Sequence, residues 1–169
     1  MVPGRVLGID AGERRIGVAL SDELRLLASP LTVLHRGRSG LAPVLDALAE
    51  LIQKERVEAM VVGLPLNADG SEGRQARRAR DFARVASRVV GLPVSMWDER
   101  LSTREAEDIV RRQGRNLRRV RERGELDAIA AAAILQDYLD HQLEPGLARA
   151  EAPSSAEAPS SAEGPSALC

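Results

Sequence analysis

Val6-Leu7-Gly8-Ile9-Asp10-Ala11-Gly12-Glu13-Arg14-Arg15-Ile16-Gly17-Val18-Ala19-Leu20 is the stretch around which the rest of the chain is organised. Two apolar runs, each bounded by Gly and charged residues, read as the strands of a β-hairpin over residues 5–10 and 15–20. Asp10 closes the first strand. A carboxylate there stands on rigid backbone at the rim of a sheet, a good seat for a metal ligand. Gly12 permits φ > 0 or the close approach of a ligand to the backbone. Asp-x-Gly also starts ordinary turns, so this stretch alone leaves both roles open for Asp10.

Outward from the hairpin, Leu26 to Leu34 reads as a third strand, with Pro30 requiring an edge position or a bulge. His35 ends it and reads as a solvated strand end. Leu41, Val44, Leu45, Leu48, Leu51 and Ile52 recur at helical spacing. Val57 to Gly63 is an almost continuous apolar run, the pattern of a central parallel strand. Strands first, then helix, then strand predicts a mixed sheet feeding a βαβ crossover. The Gly- and Asn-rich loop Leu64 to Gly73 follows the carboxyl end of that strand, where open α/β sheets place ligands.

A helix is predicted from about 72 to 90, with Phe82, Val85, Ala86 and Val89 on its apolar face. Arg74, Arg77, Arg78, Arg84 and Arg88 lie mostly elsewhere on it. Val94 to Trp97 is a fifth strand that runs straight into Asp98-Glu99-Arg100. A helix follows, opened by a capping box of Ser102 and Glu105. Arg111 to Arg123 holds seven arginines and one acid with little apolar patterning, and reads as a flexible basic loop. The last helix runs from Glu125 to about Gln142, packing through Leu126, Ile129, Ala130, Ala133, Ile134 and Tyr138. Its alanines allow close approach to the sheet. Asp127 lies in its first turn, where the helix dipole alone would favour an acid.

Composition bounds the function. The 169 residues suffice for one domain with a real core. No apolar run reaches the ~20 residues of a membrane span, and the first residues lack the pattern of a secretory signal. A cytoplasmic location is expected. The single cysteine, Cys169, reads as a free terminal thiol. Formal net charge is −1, yet Arg74 to Arg123 carries 15 arginines against 7 acids. A basic half on a near-neutral chain points to a polyanionic partner. With one Trp, one Tyr and one Phe, extensive base stacking is not expected, so recognition should rest on backbone and shape. Residues 1–142 form the expected domain. Residues 143–169, with a repeated Ala-Pro-Ser-Ser-Ala-Glu, form a Pro/Ala/Ser/Glu tail expected to be disordered.

Three acids stand out by position: Asp10 at the end of the first strand, Glu99 (with Asp98 beside it) after the fifth, and Asp127 at the start of the last helix. If the first and fifth strands are parallel in one sheet, their carboxyl ends share a rim that the last helix can reach. Carboxylates converging there repel one another and need cations. All-oxygen ligands suit Mg²⁺ or Mn²⁺ rather than zinc. A carboxylate-held pair of such ions is a recurrent device for cleaving phosphodiesters.

Four motifs in order resemble the YqgF (RuvX) family: Leu7-Gly8-Ile9-Asp10-Ala11-Gly12 with Ile16-Gly17-Val18-Ala19; Val61 to Asn67 with Asp69-Gly70; Asp98 to Thr103; and Asp127 followed by Ala130 to Leu135. The resemblance spans about Arg5 to Leu139. It implies a ribonuclease H-like fold, with three antiparallel strands and then parallel ones in a five-stranded mixed sheet flanked by helices. It also implies a nuclease that trims the 5′ end of the 16S ribosomal RNA precursor, with resolution of four-way (Holliday) DNA junctions as the alternative. A non-catalytic RNA-binding factor in ribosome assembly is a third reading, against which the three retained acids argue. On this resemblance Asp10, Glu99 and Asp127 are the catalytic, metal-binding acids. Asp10 is expected to bridge two ions. Asp98 competes with Glu99, since neighbouring strand residues face opposite ways. Arg14, Arg15, Asn67, Arg100, Arg115, Arg118 and Arg119 are candidate nucleic-acid contacts. The expected partners are nucleic acid, as precursor rRNA or branched or single-stranded DNA, and pre-ribosomal particles.

Overall fold

Apolar runs too short for a helix and broken by glycines fold as strands, and the hairpin closes where the pattern places it. Asp10 pairs with Gly17 and Ala11 with Ile16. The computed structural model describes residues 3–100 and 102–143. Its strands are β1 (Arg5–Ala11), β2 (Arg15–Ser21), β3 (Ala28–His35), β4 (Val57–Leu64) and β5 (Val94–Asp98). They make one sheet in the order β3-β2-β1-β4-β5. The first three are antiparallel, and β4 and β5 add in parallel beside β1. Pro30 is tolerated because β3 is an edge strand with a register shift opposite Val18 and Ala19. The strand expected from Leu26 begins only at Ala28. The Asp22 carboxylate accepts the N–H groups of Leu26 and Leu27 at 2.7 and 3.0 Å and holds both residues in the turn.

The helices are α1 (Ala42–Glu55), α2 (Arg74–Val90), α3 (Ser102–Arg112), α4 (Leu117–Glu122) and α5 (Glu125–Leu143). The two faces of the sheet are packed differently. One face, with Leu7, Ile9, Ile16, Val18, Met60 and Val62, meets α1 and α2 through large side chains that include Phe82. The other face, with Val6, Ala19 and Val61, meets α5 through Ala131, Ile134, Leu135 and Leu139. A small third cluster joins Ala106 and Val110 of α3, Val120 of α4, and Ile129 and Ala130 of α5.

Two local expectations are corrected. Residues 111–123 are not a loop throughout, since they contain α4. The Asn116 side chain caps it, accepting the N–H groups of Arg118 and Arg119, and Val120 is buried against α3 and α5. On α2, Val85 and Val89 are exposed. The buried stripe is Ala76, Ala79, Phe82, Ala83 and Ala86, whose three- and four-residue spacing places those valines to one side. The side chains of Ser102 and Glu105, which the expected capping box needs, and the tail after Leu143 lie outside what the structure describes. Among the described residues no helix is long and apolar enough to cross a membrane.

Candidate active site

Strand alternation puts Gly8 and Asp10 on the α5 side of β1. Gly17 stands directly opposite Asp10 on β2. On β4, Gly63 is one step beyond the Ile9–Val62 pair, and it pairs with Trp97 of β5. Asp10 is therefore flanked on both sides by residues without side chains. Each gap is filled. A Cβ on Gly17 would overlap the backbone carbonyl of Asp127, and one on Gly63 would overlap a carboxylate oxygen of Glu99. Further down, a Cβ on Gly8 would lie 2.7 Å from that of Leu135. Gly8 and Gly17 face the α5 backbone at Ala131 and Asp127, so the helix rides close to the strands and carries Asp127 onto the rim.

The three acids thus stand in a row across the carboxyl end of the sheet, Glu99, Asp10, Asp127, with Asp10 in the middle. Their electrostatics follow that order. Burial pushes the Glu99 carboxyl up to about 8, with further repulsion from Asp10 and then Asp98. Burial raises Asp10 to about 6, and Asp127 adds to it. Burial also raises Asp127, against the pull of Arg15 and His35. The trio lies along the rim. Among the described residues no three His, Cys, Asp or Glu side chains already surround one point. Arg15 Nε stands 2.9 Å from Asp127 Oδ2. That oxygen is shut off from solvent and outside hydrogen-bond geometry, so the contact is one of charge alone. A desolvated, cation-paired carboxylate beside two others of raised proton affinity is a donor set that fits a hard divalent cation.

Between Asp98 and Glu99 the strand pleat decides. Glu99 lies over Gly63 on the α5 side, and its N–H donates to the Leu64 carbonyl at 3.2 Å. Asp98 is exposed and clamps Arg100, whose Nε lies 2.7 Å away and whose backbone N–H donates at 3.1 Å. The other candidates separate. Arg15 joins the acids. Arg14 is exposed on the β1–β2 turn. Asn67 orders its own loop, donating from Nδ2 to Ser71 Oγ at 2.9 Å and from its backbone N–H to the Ser71 carbonyl. Arg115 pairs with Glu125, and Arg118 pairs with Glu122 at 2.9 Å. Arg119 lies on α4 with Arg118. His35, read from sequence as a solvated strand end, is close enough to Asp127 to favour its charged form. The three glycines and the alanine run were the available signal for the site's geometry.

A mixed sheet in this order, with Asp10 at the carboxyl end of its central strand β1 and Glu99 just past edge strand β5, is that of a nuclease of the ribonuclease H-like fold. Nucleases of this class generally use divalent metals. The chain belongs to the RuvX family, whose model, described as "Holliday junction resolvase", matches residues 4–141. It is 50% identical over 137 residues to a protein of Anaeromyxobacter sp. (strain Fw109-5) named "Putative pre-16S rRNA nuclease", covering 80% of this chain and 96% of that one. A protein of the same name from Syntrophus aciditrophicus (strain SB) is 47% identical over 136 residues, covering 80% of this chain and 88% of that one. Among solved structures, RuvC of T. thermophilus in complex with a Holliday junction substrate superposes with a TM-score of 0.52. That match covers 83% of this chain and 96% of RuvC at 19% identity, and it carries the fold alone.

Proposed function

We propose that this chain is a divalent-metal-dependent nuclease that hydrolyses phosphodiester bonds at the 5′ end of the 16S rRNA precursor in the cytoplasm. The observation that carries the reading is the row Glu99–Asp10–Asp127 held over Gly63 and Gly17. The relatives named above support the substrate. Asp10, Glu99 and Asp127 would hold the ions, Mg²⁺ or Mn²⁺, which supply a nucleophilic hydroxide at neutral pH and stabilise the leaving oxygen. Asp10, central and on the most rigid strand, is the acid suited to serve both neighbours. Arg15 has two roles open to it. It steadies the Asp127 charge in the free protein, and it offers a guanidinium to a substrate phosphate once that acid has another cation.

The family description favours one second reading, cleavage of four-way DNA junctions. A cleavage assay separates the two. Labelled precursor rRNA, single-stranded RNA and a four-way junction are incubated with Mg²⁺, Mn²⁺ or chelator, using wild type, Asp10→Asn, Glu99→Gln and Asp127→Asn. Metal-dependent cutting of precursor rRNA, lost in each variant with the fold intact, is expected. Cutting that survives chelator or Asp10→Asn refutes the mechanism, and preferential cutting of the junction selects the second reading.

A further inference from the structure

On the far side of the rim from α5, four arginines surround a single acid. Glu13, on the β1–β2 turn three residues past Asp10, lies 3.1 Å from Arg78 of α2. That hydrogen bond and charge hold the Glu13 carboxyl below its usual range, and Arg74 and Arg14 add to the effect. Arg36 completes the group. Its backbone N–H donates to the Arg14 carbonyl at 2.8 Å, and its guanidinium lies over the Phe82 ring, 5.8 Å from the centroid. Burial and then the neighbouring Arg78 disfavour its charge, which the Glu13 carboxylate only partly offsets. Its Nε is closed off from solvent and makes no hydrogen bond among the described residues. The fold thus seats a guanidinium beside like charge, partly desolvated, without using that donor. Such an arrangement lacks an acceptor and is relieved by an anion.

We propose that Arg14, Arg36, Arg74 and Arg78 form a phosphate subsite on the α2 side of the rim. It takes a backbone phosphate of the nucleic-acid strand flanking the bond to be cut, and Glu13 is the acid that this phosphate displaces. The proposal rests on the nuclease reading only for the identity of the strand. It extends the path of the substrate away from α4 and α5, across the β1–β2 turn and onto the start of α2. Guanidinium pairs suit phosphate because two N–H donors meet two oxygens in one plane. The aromatic face beneath Arg36 fixes one such fork in advance.

The test is binding of a labelled single-stranded RNA in chelator, which prevents cutting, across a salt series. Arg36→Met keeps a long chain over Phe82. Arg78→Gln sits on a helix surface and serves if Arg36→Met does not fold. Each is expected to weaken binding about 3- to 10-fold at low salt and to flatten the slope of log K against log salt by about 0.7. Glu13→Gln is expected to tighten binding several-fold, a direction that loss of structure does not produce. Glu50→Gln, an exposed acid on α1, should change neither. Inorganic phosphate should displace RNA better than chloride at equal ionic strength, and lose that advantage in Arg78→Gln, and equal displacement by the two anions in the wild type would overturn the assignment of the site to phosphate. Unchanged affinity and slope in the arginine variants, or no gain in Glu13→Gln, would overturn the subsite while leaving the nuclease reading standing. A wild-type chain that binds no RNA would overturn both.

Discussion

Replacing Gly63 by Ala adds one methyl group at the point where the site is tightest. An ideal Cβ there would overlap a Glu99 oxygen and lie 2.6 Å from Ile134 Cδ1, where carbon atoms prefer ~3.5–4 Å. Ile134 is 1% exposed and has no room to retreat. Each neighbour must therefore move by roughly 1 Å. Overpacking of this size costs about 1–3 kcal/mol, a fall in melting temperature of roughly 3–9 °C for a domain of this length. The greater effect falls on catalysis, since a ~1 Å displacement of a positioned group costs on the order of 100-fold in rate. The assay is cleavage of labelled RNA at saturating divalent metal, well below the melting point of the variant, with thermal unfolding in parallel. Gly37→Ala is the control, since a Cβ there meets nothing within 4 Å. If Gly63→Ala cuts at the wild-type rate, the placement of Glu99 over Gly63 does not matter to the chemistry and the argument for the site fails.

Three further outcomes follow from the same geometry. Between pH 4.5 and about 8 the folded chain keeps a proton on Glu99 that the unfolded chain has released, so metal-free stability falls as pH rises through that window. At ~1.4 kcal/mol per pH unit the ceiling is ~5 kcal/mol, and solvent at the rim leaves about 1–2 kcal/mol of it. Glu99→Gln should remove this slope, raising the melting temperature of the chelated protein at pH 8 while abolishing cutting. An unchanged slope in that variant would count against the buried carboxylate. Arg15→Gln removes a charge that favours ionised Asp127, so the acidic limb of the pH–rate profile should move to higher pH with little loss at pH 8, read from initial rates between pH 5 and 9. Asn116→Ala deletes the acceptor for two N–H groups of α4 and should cost about 1 kcal/mol, seen as lost amide protection over residues 117–122.

Much of this was legible in the sequence because the informative residues are punctuated. Glycines and charges bound β1 and β2, an unbroken apolar run marks β4 as central, and Asp10, Glu99 and Asp127 each sit at an element boundary. The choice between Asp98 and Glu99 was not legible. Alternation says that they face opposite ways, but only the side taken by α5 says which one meets Asp10. α4 was hidden because seven arginines surround just two apolar residues, Leu117 and Val120, too few to declare a period. The face of α2 was misjudged because two valines outweighed four alanines by hydrophobicity, whereas fit against the sheet favoured the smaller side chains. The cluster around Glu13 draws on segments far apart in the chain, so no local pattern announces it.

The unequal thickness of the two layers has a consequence for how the protein can change. On the α1–α2 side, the bulky side chains of the strands, of α1 and of Phe82 fill the space between helix and sheet, and one can be exchanged for another while its neighbours readjust. On the α5 side the helix rests almost on the backbone of the sheet, and an added carbon atom has nowhere to go but into α5 or the row of acids. Improvements in thermal tolerance should therefore be sought beneath α1 and α2. The seam under α5 works as a fixed gauge for the acids, and variants there should fail in turnover before they fail to fold.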